Sequence, residues 1–113
     1  MISIYKENDK TLVFTRRNIS GTIIKTKPQG LWFTVRNKND KTVIKKSLNN
    51  GITQTKEGNW EISIRSSDTV GLEPGDYFCD VKVENESGKE YTIVKPQIFR
   101  INKVATLKEN QEV

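Results

Sequence analysis

Residues 60–65 read Trp-Glu-Ile-Ser-Ile-Arg. Trp60, Ile62 and Ile64 fall on one side of an extended chain, and Glu61, Ser63 and Arg65 on the other. Successive side chains of a strand point to opposite faces, so a period of two describes a strand with one dry and one wet face. The alternation returns in 76–84, where Tyr77, Cys79, Val81 and Val83 interleave with Asp76, Asp80, Lys82 and Glu84, and Phe78 alone breaks the polar phase. Residues 31–36 set Leu31, Phe33 and Val35 against Trp32, Thr34 and Arg36. No long stretch carries the 3.6-residue period of an amphipathic helix. A chain sorted in this way has to close strands over one apolar filling.

Further strands are predicted at 2–5, 11–15, 22–25, 42–48, 51–55 and 91–101, all well supplied with Thr, Val and Ile. Turn residues punctuate them at Asn18-Ile19-Ser20-Gly21, Pro28-Gln29-Gly30, Asn37-Lys38-Asn39-Asp40, Asn49-Asn50-Gly51, Glu57-Gly58-Asn59 and Glu86-Ser87-Gly88-Lys89. Pro96, inside the last strand, predicts an edge position, a bulge or a break. In 66–75, Asp68 is expected to cap a single helical turn that Pro74-Gly75 ends. Short strands at regular spacing predict an all-β, immunoglobulin-like two-sheet β-sandwich, preferred over a barrel of the oligonucleotide-binding type. With 113 residues the chain suffices for one domain, placed at 1–103, followed by a polar tail over 104–113.

Composition excludes much chemistry. Histidine is absent and Cys79 is the one cysteine. Ser/His/Asp and Cys/His catalysis, imidazole metal sites, cysteine zinc cages and an intrachain disulfide are therefore excluded. The longest apolar runs are three residues, so the chain predicts neither a transmembrane helix nor a secretion signal. Residues 1–56 hold twelve Lys/Arg against three Asp/Glu, whereas 57–113 hold seven against eleven. If the halves stayed apart in space, a basic and an acidic side would result, suited to head-to-tail packing or to an acidic partner; interleaved strands would average the difference away.

The segment Gly71-Leu72-Glu73-Pro74-Gly75-Asp76-Tyr77-Phe78-Cys79 resembles the tyrosine corner of immunoglobulin-like domains, with Tyr77 two residues before Cys79. That resemblance implies that Tyr77 packs inward and bonds the backbone upstream through its hydroxyl. The wider order runs from Gly51-Ile52 through Gly58, Trp60-Glu61-Ile62-Ser63-Ile64, Asp68-Thr69, Leu72, Pro74-Gly75, Tyr77 and Asp80-Val81 to a hairpin at Ser87-Gly88 before Tyr91-Thr92. It is similar to the N-terminal immunoglobulin-like domain of phage baseplate upper proteins, over about residues 1–103. That family often opens with an Arg-Gly-Asp-Thr-like turn, where this chain has Lys6-Glu7-Asn8-Asp9-Lys10-Thr11. The resemblance implies a bacteriophage or prophage virion structural protein of tail, baseplate or head, made in the bacterial host cytoplasm. Its expected partners are other virion proteins and copies of itself. The alternative is a host-surface or polysaccharide-binding module.

No catalytic, cofactor or metal site is predicted, and an enzyme is not expected. Asp76 and Asp80 read as solvated, and the lysines of Asn37-Lys38-Asn39-Asp40-Lys41 argue against calcium. Scattered basic residues without interleaved aromatics do not suggest nucleic acid, and no small-molecule or membrane partner is implied. The sequons at Asn18 and Asn85 carry little weight without a secretion signal. Trp32 and Phe78 form the sharper hypothesis. Both lie in the polar phase of strands that neighbour each other in an immunoglobulin-like sheet, so two rings are expected on one outer face as a protein contact, or else covered by loops of their own domain.

Overall fold

The computed structural model describes residues 1–105. They form eight strands: β1 (Ile2–Tyr5), β2 (Lys10–Phe14), β3 (Gly30–Arg36), β4 (Thr42–Leu48), β5 (Gly51–Gln54), β6 (Trp60–Ile64), β7 (Gly75–Glu84) and β8 (Glu90–Asn102), with one 3-10 turn at Ser66–Asp68. The hydrogen-bonded order is β1-β8-β7-β3-β4-β5-β6-β2. This ribbon folds over at β4–β5, where only Ser47 with Gly51 and Leu48 with Ile52 pair. One layer is then β1-β8-β7-β3-β4 and the other β5-β6-β2, an immunoglobulin-like β-sandwich. The fold-over needs Gly51: its φ is +100°, and a Cβ there would stand 2.6 Å from Cδ of Lys46.

The inward phases meet as expected. Trp60, Ile62 and Ile64 of β6 and Ile52 of β5 join Leu31, Phe33, Val35, Tyr77, Cys79, Val81, Val83, Phe99 and Ile101 in one buried cluster. Phe33 and Phe99 pack with ring centroids 6.1 Å apart. The indole Nε1 of Trp60 is buried without a hydrogen-bond partner among the described residues, a cost of about 1–3 kcal/mol that the ring's burial outweighs.

The structure decides three of these readings. Residues 22–25 form no strand beyond a bridge of Ile23 to Arg17, because their backbone bonds close a local hairpin (Ile24 N to Arg16 O, 2.7 Å). Asp68 caps a single 3-10 turn as expected, but from its last position and not its first. Its carboxylate reaches back to accept the Arg65 amide at 2.7 Å and pairs with Nζ of Lys46 at 2.8 Å. Of the two arrangements open to the charge halves, the interleaved one holds, since β7 of the acidic half pairs with β3 of the basic half. Pro96 lies where β8 bulges: Cys79 faces Gln97 and Val81 faces Val94, setting three steps of β8 against two of β7. The expected tail lies outside the described residues from 106 onward.

Candidate functional site

The outer face of β3 and β7 carries the two rings singled out from the sequence. Trp32 pairs with Lys82, and Phe78 with Arg36. They share a face but stand four residues apart along it, about 13 Å at roughly 3.3 Å per residue. Trp32 is half-buried, lying over Gly30, where any side chain would strike its ring. Phe78 is 50% exposed and borders a hollow of about 410 Å³ with Thr34, Arg36, Asp80 and Pro96. The two rings therefore make no single aromatic patch: Thr34 and Asp80 lie between them, and each ring stands beside a charge, Trp32 beside Lys82, ion-paired with Glu90 at 3.1 Å, and Phe78 beside Arg36, ion-paired with Asp40 at 3.2 Å.

Tyr77 sits behind that face. Its hydroxyl donates to the carbonyl of Glu73 at 2.7 Å, fixing the entry of β7. Burial and the nearby Glu73 charge raise its pKa against the opposing effect of the hydrogen bond. Burial, helped by the Asp80 charge, pushes the Cys79 thiol up to about 11, so it stays neutral and poorly nucleophilic. Asp76 is held below the usual carboxylate range by its two-pronged hydrogen bond to Arg100, at 2.7 and 3.1 Å. The side-chain oxygens of Asn18, Asn37 and Asn85 each accept backbone amides within their own turns. Among the described residues, no group of three or more Asp, Glu or Cys gathers as a metal would require, and no helix is long and apolar enough to cross a membrane.

A second feature escaped the sequence reading. β2 and β1 end the hydrogen-bonded order, and β1 covers β8 only from Phe99 to Asn102. Among the described residues, the free edge of β2 therefore faces the uncovered stretch 90–98 of β8 across a seam. The seam holds an apolar cleft of about 320 Å³, with Phe33 and Ile62 at its floor and Ile2, Leu12, Phe14 and Val94 on its walls. Thr11 and Val13, in the opposite phase of β2, border it too, as they must if the strand's edge rather than one face forms the wall. A continuation of about 270 Å³ shares Phe14 and Val94 and ends at Arg16, Arg17 and Ile24. No local pattern announces this seam; the exposed Val13 in a short edge strand was its only trace.

No protein-family model matches the chain, and no curated protein matches it. A comparison with solved structures finds CopC from Methylosinus trichosporium OB3b, 14% identical, covering 72% of this chain and 70% of that chain at a TM-score of 0.44. This finding goes against the expected function. The comparisons return CopC and no virion component, so the assignment as a phage virion protein, with its polysaccharide-binding alternative, is withdrawn. The physical reason is that a Gly-x-Tyr corner and alternating strands recur in sandwich folds of many kinds, and a fold does not carry a function with it.

Proposed function

We propose that this domain is a non-catalytic binding module whose partner is another polypeptide, held at the seam between β2 and β8. The observation that carries this reading is the cleft itself: apolar walls and floor lie between two strand edges that lack neighbours among the described residues. Unpaired edges offer backbone donors and acceptors in a row, and the cleft beside them offers burial for alternate side chains, a combination that recognises extended chain. Support also comes from the absence of histidine and from Cys79, the one thiol, buried and held neutral.

The test is selection of a displayed library of random twelve-residue peptides on the immobilised protein, followed by amide-exchange mapping of the binders. Protection of residues 10–14 on binding is the expected result. Absence of binders, or binders that protect only the face around Phe78, would remove the reading.

A further inference from the structure

The two edges of the seam are not equivalent. The free stretch of β8 holds Pro96, which has no amide hydrogen, beside the exposed Lys95, and its register is broken at two places between Gln97 and Thr92. Such features obstruct pairing. β2 has no proline and no register break, and its one lysine, Lys10, stands at the first position of the strand with Nζ donating to the Ser3 carbonyl at 2.9 Å. Its five residues pair with β6 without a register break, from Lys10 with Ile64 to Phe14 with Trp60, and contain neither proline nor glycine. Val13 is 59% exposed. An added strand therefore finds its backbone partner in β2, with β8 supplying apolar wall.

The end of the seam next to β2 is cationic. Arg16 and Arg17 follow the strand by two and three residues, held by the local hairpin and by their own bonds, Arg16 Nη1 to the Thr26 carbonyl at 3.2 Å and Arg17 Nη1 to the Gly21 carbonyl at 3.0 Å. Among the described residues neither guanidinium has a carboxylate within ion-pairing distance. Arg16 is half-buried with no carboxylate of the described residues beside it, and this burial lowers its pKa. A guanidinium in that condition binds a carboxylate more strongly than a fully solvated one.

The geometry points to an occupant of definite chemistry: an extended peptide segment that adds as a strand to the free edge of β2, places alternate apolar side chains in the cleft above Phe33 and Ile62, and sets a carboxylate against Arg16 and Arg17. This rests on the polypeptide-binding reading given above and adds the edge used, the alternation and the acidic end. The rest of the seam carries no cluster of opposite charge that would favour a basic segment, since Asp80 is the one acidic residue on the cleft.

The peptides enriched from the random library supply the probes. They are expected to alternate apolar with polar residues and to carry Asp or Glu near one end. Replacing that acid by Gln should weaken binding about tenfold, and Arg16→Gln with Arg17→Gln should do the same. The two changes together should cost less than the product of their separate effects, because each removes the same pair. Thermal unfolding of the arginine variants checks that the hairpin is kept, and the peptide-side change tests the contact independently of that. Val13→Lys should abolish binding while leaving the fold intact. Peptides that protect residues 10–14 but show no acidic preference, and bind the arginine variants unchanged, would overturn the acidic end while the polypeptide reading stands. Protection of 90–98 alone would overturn the choice of β2. A concentration-dependent dimer in sedimentation that Val13→Lys dissolves would replace the acidic peptide with a second copy of the chain. Failure of any peptide to bind at the seam would remove both readings.

Discussion

The seam sets two strand edges opposite one another, and they have been treated differently. The β8 stretch 90–98 is guarded by Pro96 and two register breaks, with Lys95 in their midst, while β2 presents Lys-Thr-Leu-Val-Phe, its lysine at the strand's first position, with a regular ladder behind it. Both edges lean on the same buried floor. An unguarded edge invites pairing with other chains, and sandwiches commonly blunt such edges. One guarded edge and one bare edge around a single apolar cleft make the opening directional: backbone pairing on one side, side-chain contact on the other.

The largest expected effect tests the shared floor. Phe33 is 1% exposed and touches Phe99, so Phe33→Ala should cost about 3–5 kcal/mol in denaturant unfolding. A loss below about 1 kcal/mol would mean that the floor is not part of the core, and both edges would lose their common support. Next comes the anchor of β7, the strand that backs the guarded edge. Tyr77→Phe removes the hydroxyl bond to Glu73 and should cost about 1 kcal/mol with little change in packing. The difference between the edges is tested directly by Lys95→Val with Pro96→Ala. This pair restores an amide and removes a charge on β8, and should raise self-association measured by light scattering while changing stability by no more than about 1 kcal/mol. Unchanged association would show that the bulges alone guard this edge.

The smallest effect concerns pH. Asp76 is paired with Arg100 on β8, in the stretch that β1 covers, and its folded pKa is depressed. A depressed carboxylate contributes stability that is present above its unfolded value, about 4, and is lost as pH falls through the folded value. Both partners are well exposed, so the contribution is small. Asp76→Asn should slightly flatten the decline of the melting temperature below pH 4 and leave the neutral-pH value nearly unchanged. A large change at neutral pH would show that the covered stretch of β8 depends on this pair more than on burial of Phe99 and Ile101.

Much of the fold could be read from particular residues. Trp60, Ile62 and Ile64 alternate on a strand with polar partners, and they are buried together; Tyr77, Cys79, Val81 and Val83 behave likewise. Phe78 and Trp32 fall in the outward phase and lie on the outer face, because phase is a local property of extended chain. How far apart they stand was not legible, since it depends on the register between β3 and β7. Residues 22–25 were misread because Thr and Ile favour strands, while the turn bonds of Asn18 and Arg16 set the backbone there.

Local alternation, turn chemistry and the missing histidine were enough to settle an all-β chain with one apolar filling and without imidazole chemistry, because each acts over a few neighbouring residues or is simply a count. Which strands end the sheet, how far β1 reaches along β8, and that β2 faces an apolar cleft ending at Arg16 and Arg17 were decided only by the assembled sandwich. These are relations between segments as far apart as Ile2 and Phe99, created when strands find their partners, and no short stretch of chain contains them.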